Sequence, residues 1–296
     1  DVRDALAQNI GNLRDSLAGS LDPVPDGSDY MRDTAREALE GLSGPDAFDP
    51  RTHTGPGNGS VWTTVAQALW AVRTTSSFEG AVTAAVNMGS DTDTVACVTG
   101  ALAGAVYGVQ AIPSRWTTYV HGHIEGPHGR VDYRYPDVQR IAARLIGARD
   151  KHENAPDPAA GPQEVAPGLF AANLGGAATA PVEWAVVSLC RTGDMFVNHP
   201  VRRQVFLIDQ EGDHNPGLES ALRDAVDSVQ AFLAEGRNVV VHCHGGHSRT
   251  GLVLKAWHMR TTGCTEREAH AWLEARWPLY QDYNASFRAV LGYGRP

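Results

Sequence analysis

The sequence predicts a two-domain protein, with an all-helical first half and an α/β second half built on a central, mostly parallel sheet. Three observations lead to this fold class. Apolar residues recur with a helical period in the first half, four prolines fall within 150–168, and short apolar strands alternate with helices after residue 169. A chain of 296 residues is long enough for two domains. We therefore expect a helical domain over 1–149, a Pro-rich linker over 150–168 and an α/β domain over 169–296.

Helical periodicity dominates the first half of the chain. Apolar residues recur about every 3.6 positions in the segments 30–42, 61–73, 78–88, 94–110 and 137–149. The stretch 94–114 carries no charged residue, but Gly100, Gly104 and Gly108 recur in it and large aliphatic side chains are sparse. Small residues at that spacing let two helices approach closely. We therefore expect a buried helix within a helical domain here, rather than a membrane span.

Strands alternate with helices in the second half. Short apolar runs predict strands at Leu169–Leu174, Trp184–Leu189, Val205–Ile208 and Val239–Val241. Helices are expected at 217–235, 252–262 and 265–276. This alternation is typical of a parallel sheet, whose ligand binds beyond the carboxyl ends of the strands. Cys243 is expected at such an end.

The stretch VVVHCHGGHSRTG, from Val239 to Gly251, carries the strongest functional signal. A strand, a glycine-containing loop and a helix N-terminus in that order point backbone amides at one centre and bind a phosphate-sized anion. The same positive environment lowers the pKa of a cysteine and makes it a nucleophile. Arg249 can bind two oxygens of a phosphate, and a hydroxyl of Thr250 or Ser248 can donate to the sulfur. The phosphate-binding residues expected are His244, Gly245, Gly246, His247, Ser248, Arg249 and Thr250.

This loop resembles the signature HCxxGxxR[ST] of cysteine-dependent protein phosphatases, with His242, Cys243, Gly246, Arg249 and Thr250 at the matching positions. The resemblance to dual-specificity phosphatases, especially compact bacterial ones, covers about 165–296. It implies that Cys243 attacks phosphorus and forms a phosphocysteine, while His242 orients the loop and, with Thr250, tunes the thiolate. No metal is needed for this half. The substrate implied is a phosphorylated protein or a small phosphomonoester.

The general acid of that chemistry has two candidates. The resemblance implies an aspartate on the loop after the third strand of this half, about thirty residues before Cys243. Asp209 directly follows that strand, and Asp213 lies four positions later. We favour Asp209, and Asp213 stays an alternative. Cys190 could be a redox partner of Cys243, although a buried core cysteine is the better interpretation.

A second constellation lies in the first half, where Asp91, Asp93 and Thr94 fall on one helical turn. Two carboxylates and a hydroxyl are hard oxygen ligands that suit Mg²⁺, and a pair of ions is possible. The alternative is an ordinary helix cap, because aspartate and threonine are common at that position.

Residues 61–116 around this turn resemble the C-terminal part of the ADP-ribosylglycohydrolase family, which includes the dinitrogenase reductase-activating glycohydrolases. The resemblance covers about 20–125. It implies an all-helical fold with two Mg²⁺ ions that hold ADP-ribose, and it makes Asp91, Asp93 and Thr94 metal ligands. Ser90 stands where a glycine is usual in the family. The family's Thr-Asp-Asp ligand stretch does not occur in this chain, so we expect a fragment of something longer with an incomplete metal site.

The amino-acid composition limits the classes of binding partner that we expect. The net charge of −9 argues against non-specific binding to nucleic acid, and no membrane partner is expected. The four cysteines lack metal-site or disulfide spacing, which favours a reducing, cytoplasmic setting. We expect a bifunctional bacterial hydrolase that acts on phosphomonoesters and on ADP-ribose or ADP-ribosylated protein. Two alternatives stay open: a hydrolase of ADP-ribosylated protein with an accessory phosphatase domain, and a module that only binds phosphate or ADP-ribose.

Overall fold

The computed structural model describes residues 61–127, 129–145, 159–212 and 214–292. The chain forms two compact units, Asp1–Ala111 and Ile112–Pro296. The predicted helix at 30–42 lies outside the described residues, as do Asp213 and residues 150–158 of the predicted linker. The predicted domain limits at 149 and 168 stay predictions.

Three helices make up most of the described part of the first unit. They are α1 (Val61–Thr74), α2 (Phe78–Val86) and α3 (Thr92–Tyr107), and a short 3₁₀ helix (Val109–Ala111) follows them. The Ser77 hydroxyl begins α2 by accepting a hydrogen bond from the amide of Gly80 at 3.0 Å. Ala71, Ala85 and Val95 are almost fully buried and form a small core shared by the three helices. The helices predicted in this region are confirmed.

Helix α3 is buried along one face only. Its buried side chains are Val95, Thr99 and Ala103, which are spaced four residues apart. Within the described part of the chain, an added Cβ at Gly100 would meet no atom within 4 Å, whereas one at Gly104 would lie 4.0 Å from Phe78 Cε2. Among the described helices, none has the length and apolar character needed to cross a bilayer.

The second unit begins with elements that the sequence pattern did not reveal. After α4 (Ser114–Thr117) come two antiparallel strands, β1 (His121–Gly126) and β2 (Gly129–Arg134), and then α5 (Tyr135–Leu145). The hairpin lacks an apolar alternation because all but one of its residues are exposed. The amide of Ser114 donates to Asp224 Oδ2 at 2.9 Å, and the Tyr119 hydroxyl donates to the carbonyl of Pro200 at 3.1 Å. These bonds place 112–145 with the second unit.

The core of the second unit is a five-stranded sheet in the order β3-β4-β7-β5-β6. Its strands are β3 (Gln163–Ala166), β4 (Leu169–Asn173), β5 (Ala185–Ser188), β6 (Arg202–Gln204) and β7 (Val239–Cys243). The strand β3 is antiparallel to β4, and all the other neighbours are parallel. The predicted mostly parallel sheet is therefore confirmed.

Helices cover the sheet. They are α6 (Leu174–Ala177), α7 (Leu218–Ala234), α8 (Ser248–Thr262), α9 (Glu266–Glu274) and α10 (Ala285–Val290). Apolar side chains of α7 and α8, such as Val229 and Val253, share one buried cluster with Val241 and Cys243 of β7. The alternate residues of the strands, such as Val240, pack in a second cluster. The central strand β7 is thus buried on both faces, which explains its continuous apolar run.

Two sequence predictions need correction in this unit. The strand expected at Val205–Ile208 lies instead at Arg202–Gln204, where it pairs with β5. Apolar character misled the prediction, because Val205 and Leu207 are buried but belong to the connection after the strand. Part of the predicted linker is the edge strand β3, whose buried side chain is Val165. Prolines at its flanks leave its pairing with β4 intact, since an edge strand tolerates them.

Candidate functional site

The candidate nucleophile lies at the carboxyl end of the central strand. Cys243 is the last residue of β7 and is 1% exposed. The four-residue loop 244–247 follows, and α8 begins at Ser248. The predicted sequence of strand, tight loop and helix N-terminus is therefore present.

Gly246 gives the loop its shape. Its φ is +78°, a conformation that L side chains rarely adopt. A Cβ at this position would lie 3.1 Å from Trp277 Cζ2 and 3.2 Å from the Cβ of Asn173. The indole Nε1 of Trp277 also donates to the carbonyl of Gly246 at 2.7 Å. The loop therefore needs glycine for two reasons, backbone conformation and close packing.

The amides of the loop are the candidate anion-binding groups. No hydrogen bond to another described residue is recorded for the amides of Gly245 and Gly246. They precede the N-terminus of α8, where the helix dipole provides partial positive charge. Neighbouring loop groups are tied back, with the carbonyl of His244 accepting from Leu174 N at 3.1 Å and His247 Nδ1 lying 2.6 Å from the carbonyl of Leu279. The donors are thereby held in position before any ligand arrives.

Arg249 is buried beside the loop on the first turn of α8. Its Nη1 donates to the carbonyl of Leu207 at 3.2 Å and to that of Leu189 at 3.5 Å. Its Nε lies 3.6 Å from Oδ2 of Asp209. The guanidinium is thus held by a carbonyl that follows β5 and a carbonyl that follows β6, so its position depends on the tertiary fold.

Asp209 lies opposite Arg249 and accepts two further hydrogen bonds. The Tyr283 hydroxyl donates to Oδ2 at 2.7 Å, and Asn284 Nδ2 donates to Oδ1 at 3.3 Å. Burial and this hydrogen bond to Asp209 raise the pKa of Tyr283, and Cys243 and Arg249 also act on it electrostatically. The phenol therefore stays neutral and lies close to the nucleophile and the cation.

A side-chain clamp holds the segment that carries Asp209. Asn215 accepts from the amide of Ile208 and donates to its carbonyl, both at 2.8 Å. The amide of Gly212 donates to the Ser286 hydroxyl at 2.9 Å. The alternative acid, Asp213, lies outside the described residues. Sequence reasoning missed the contribution of Tyr283 and Asn284, because they come from a segment about seventy residues away from Asp209 along the chain.

His242 packs behind the nucleophile rather than beside it. Its Nε2 lies 2.7 Å from the Ser188 hydroxyl, and its ring centroid lies 4.9 Å from that of Phe196. Complete burial lowers the pKa of His242 to about 4. The imidazole is therefore neutral near pH 7 and adds no positive charge to the site.

The remaining candidate groups of this loop are also buried. Thr250 Oγ1 is buried, with no hydrogen-bond partner among the residues that the structure describes. Ser248 is buried on the same helical turn.

Cys190 is fully buried in the cluster that contains Val240, whereas Cys243 belongs to the cluster on the other face. This separation favours a core role for Cys190 over a redox pair.

The acidic turn of the first unit is more exposed. Asp93 and Thr94 are exposed, and Asp91 is partly so. Asp91 occupies the N-cap position of α3 but makes no side-chain capping hydrogen bond. A hydrogen bond with the Asp91 side chain, together with bonds to backbone amides, lowers the pKa of Asp93. Two carboxyl groups within hydrogen-bond distance of each other provide the hard oxygen ligands that fit a divalent cation, whereas the cap interpretation lacks its hydrogen bond.

Ser90, just before this turn, has φ +62°. This is the left-handed region that favours glycine, which is the usual residue here in the family that the turn resembles. The serine therefore strains the backbone at the entrance to the turn.

Another cluster of potential ligands, Glu266, His270 and Asp282, lies in the second unit. The buried Lys255 ammonium lies 2.7 Å from Glu266 Oε1 and 3.1 Å from Asp282 Oδ2. Because a lysine already neutralises these carboxylates, the cluster is a structural ion network.

Comparison with known families divides the chain in two. The ADP-ribosylglycohydrolase model matches residues 2–155, and the model for the dual specificity phosphatase catalytic domain matches 185–291. The glycohydrolase match is therefore the N-terminal one in this chain, and it extends beyond the expected 20–125.

Similar proteins follow the same division. The chain is 38% identical to ADP-ribosylarginine hydrolase Tri1 of Pseudomonas putida (strain GB-1) over 94 residues, which are 31% of this chain and 25% of that protein. It is 30% identical to dual specificity protein phosphatase 5 of Rattus norvegicus over 69 residues, which are 23% and 18% of the two chains. The chain thus spans a quarter or less of the length of these relatives.

Solved structures align with just under half of the chain. Human DUSP28 aligns with 47% of this chain and 94% of its own, at 23% identity and a TM-score of 0.39. Tk-PTP in its active form aligns with 45% and 97%, at 21% identity and a TM-score of 0.38.

Proposed function

We propose that the protein is a bifunctional hydrolase, on the premise that the chain belongs to the ADP-ribosylglycohydrolase family through residues 2–155 and also carries a catalytic domain of the dual specificity phosphatase type over 185–291. Its second unit hydrolyses phosphomonoesters through a phosphocysteine, and its first unit contributes to a Mg²⁺-dependent ADP-ribosylglycohydrolase site. The observation that carries the proposal is the position of Cys243, which is buried at the end of β7. The loop that follows contains the amides of Gly245 and Gly246, which have no hydrogen bond to another described residue, and Arg249 lies on the first turn of the next helix.

The phosphate is bound before any bond changes. Loop amides such as those of Gly245 and Gly246 donate to its oxygens, and the N-terminus of α8 adds partial positive charge. The Arg249 guanidinium exchanges its carbonyl contacts for two phosphate oxygens. The same positive charges stabilise Cys243 as a thiolate.

Hydrolysis of the phosphomonoester then takes two steps. Sγ of Cys243 forms a bond to phosphorus while the phosphorus–oxygen bond of the ester breaks, and Asp209 donates its proton to the departing oxygen. A water molecule next attacks phosphorus, gives its proton back to Asp209 and releases the thiolate and inorganic phosphate. Oδ2 of Asp209 lies 3.6 Å from Nε of Arg249, so this carboxyl group lies next to the residue that would bind the transferred phosphate.

His242 acts as a positioning residue in this scheme. Its low pKa, close to 4, makes it neutral, so it cannot stabilise the thiolate by charge. Its contacts with Ser188 and Phe196 instead fix the strand end on which Cys243 lies. Thr250, whose buried hydroxyl has no partner among the described residues, is available to donate to the sulfur leaving group.

A direct experiment measures the hydrolysis of phenyl phosphate by the wild type and by Cys243→Ser, each with and without EDTA. We expect the substitution to abolish turnover, by at least about 10³-fold, because it removes the nucleophile. We expect EDTA to have no effect on the wild type. Cys190→Ala is the matched control, since this cysteine is buried on the other face of the sheet. Equal rates for wild type and Cys243→Ser would overturn the proposal.

The acidic turn supports the glycohydrolase part of the proposal. Asp91, Asp93 and Thr94 would hold Mg²⁺, which supplies a Lewis acid that binds and orients the oxygens of ADP-ribose. These three residues provide part of a coordination sphere, and the rest must come from elsewhere.

Release of ADP-ribose from ADP-ribosylated arginine tests this part. We expect Mg²⁺-dependent release, which the double substitution Asp91→Ala and Asp93→Ala removes without changing the hydrolysis of phenyl phosphate. Binding of phosphate or ADP-ribose without any turnover at either site would instead favour a binding module. Absence of release at any Mg²⁺ concentration would restrict the activity to the phosphatase.

A further inference from the structure

A cavity of about 470 Å³ lies within the second unit, between the β1–β2 hairpin and the loop that follows β5. Its lining residues come from Thr118–Arg134, Pro136, Ser188, Thr192–Val197 and Arg202–Gln204, and none comes from the catalytic loop 243–250. Its volume is that of an ordinary small-molecule site. The proposed phosphatase chemistry makes no use of it.

The charge of this cavity is opposite to that of the whole chain. Four arginines line it, but only two carboxylates do, although the chain carries a net charge of −9. The arginines are Arg130, Arg134, Arg202 and Arg203, and the carboxylates are Asp132 and Asp194. A concave surface that collects cations on an acidic protein indicates an anionic ligand.

Two of the arginines are held by uncharged partners. Arg202 Nη1 donates to the carbonyl of His199 at 2.8 Å, and its guanidinium lies 4.8 Å from the centroid of the Tyr119 ring. Arg203 Nη1 donates to the carbonyl of Arg202 at 2.8 Å and lies near the same ring. Neither has a carboxylate partner within the described ranges, so their charge is fixed in place and not neutralised.

The two hairpin arginines form only exposed ion pairs. Arg130 pairs with Asp132 at 2.9 Å, and Arg134 pairs with Asp194 at 3.5 Å. More than half of each of these four side chains is exposed. Such pairs contribute little to stability, so the guanidinium groups can exchange them for a ligand's oxygens.

We propose that this cavity binds a nucleoside diphosphate. Guanidinium groups bind phosphate oxygens in bidentate fashion, and four of them match the charge of a diphosphate. The carboxylates of Asp132 and Asp194, released from their ion pairs, can accept hydrogen bonds from ribose hydroxyls. The partly exposed ring of Tyr133 in the lining offers apolar surface for the base. A bare phosphate would leave most of the cavity unfilled.

Isothermal titration of the full chain with ADP tests this proposal. EDTA in the buffer excludes metal-dependent binding at the acidic turn, and saturating tungstate occupies the catalytic loop as a phosphate mimic. We expect one equivalent of ADP to bind under these conditions. We expect pyrophosphate to bind at least tenfold more weakly than ADP, and adenosine more weakly still.

Substitution of the exposed hairpin arginines supplies the second arm. The double variant Arg130→Gln and Arg134→Gln should weaken ADP binding at least tenfold while its thermal midpoint stays within a few degrees of the wild type. The matched control is Arg223→Gln, an equally exposed arginine on α7 whose partner is Glu219, and it should bind ADP as the wild type does.

Two results would overturn the proposal. One is the absence of ADP binding to the wild type, and the other is unchanged affinity in the folded double variant. Pyrophosphate that binds as tightly as ADP would overturn the nucleoside part of it. Because the measurement is binding and not hydrolysis, its failure is distinct from a failure of the proposed phosphatase activity.

Discussion

The catalytic loop of the second unit and the acidic turn of the first unit are built in opposite ways. Cys243 and Arg249 are buried, and they are held in place by residues from several strands and helices. Asp93 and Thr94 are exposed on one helical turn, and Asp91 has no capping hydrogen bond. An anion site can be built by a single loop and its helix, whereas a metal site needs ligands from several segments.

The two regions also differ in backbone strain. Gly246 adopts a positive φ in the catalytic loop with the residue suited to it, whereas Ser90 adopts a positive φ before the acidic turn with a residue that is not. The catalytic loop therefore has a residue that suits its backbone conformation, whereas the backbone before the acidic turn is strained, which lowers the free energy of unfolding.

The largest expected effect concerns Asp209, the proposed general acid, which lies opposite Arg249. Asp209→Asn should lower kcat for phenyl phosphate about 10²–10⁴-fold, because the leaving oxygen loses its proton donor. The effect should be small for a substrate whose leaving group needs no proton. Asp213→Asn is the matched comparison and should leave kcat nearly unchanged. The reverse result, a loss confined to Asp213→Asn, would transfer the acid role to Asp213.

A pH effect should distinguish the buried site from the exposed turn. The pKa of His242 falls from its ordinary value of 6.5 to about 4 on folding, so the unfolded chain binds the extra proton between these values. Stability should therefore be complete above pH 6.5 and fall by about 3 kcal/mol as the pH drops to 4. Urea unfolding across this range, compared between wild type and His242→Gln, isolates the effect. Parallel curves for the two proteins would contradict it.

Gly246→Ala should show how closely the catalytic loop is packed. Gly263, at the end of α8, also has a positive φ but has no atom within 4 Å of an added Cβ. Gly263→Ala should therefore cost only the left-handed conformation, about 1–2 kcal/mol of unfolding free energy. Gly246→Ala should cost about 1–3 kcal/mol more, because the methyl meets Trp277 and Asn173. Equal losses in chemical denaturation would show that the loop can relax.

The smallest effect is expected at the acidic turn. Ser90→Gly should raise the free energy of unfolding by up to about 1 kcal/mol, since glycine adopts φ +62° without strain. Ser76→Gly is the control on the same unit, where φ is not positive, and it should destabilise slightly. A fall in the midpoint for both variants would mean that the serine is not strained.

Much of the protein could be predicted from the sequence. Helices α1–α3, the strands β4, β5 and β7 and the loop from Cys243 to Thr250 follow from local patterns, because each depends on residues close together in the chain. The alternation of strands with helices then predicted that the sheet is mostly parallel. The family resemblance of both halves also rested on contiguous motifs, and the matches to 2–155 and 185–291 bear it out.

Other features could not be predicted in this way. The hairpin β1–β2 has exposed faces and so no apolar period, and the edge strand β3 lies among prolines that suggested a linker. The strand expected at Val205–Ile208 is a connection after β6, in which Val205 and Leu207 are buried, and its apolar character alone did not reveal where the strand ends.

The sequence by itself determined the chemistry that we propose for the catalytic loop, because the proposed nucleophile, loop amides and arginine lie within seven consecutive residues. Only the tertiary structure decided what surrounds them. It brought Tyr283 and Asn284 to Asp209, buried His242 until its pKa fell, and placed Cys190 on the opposite face of the sheet. It also joined hairpin and strand arginines around one cavity. Such juxtapositions depend on chain segments far apart in sequence, whose contacts form only when the core packs.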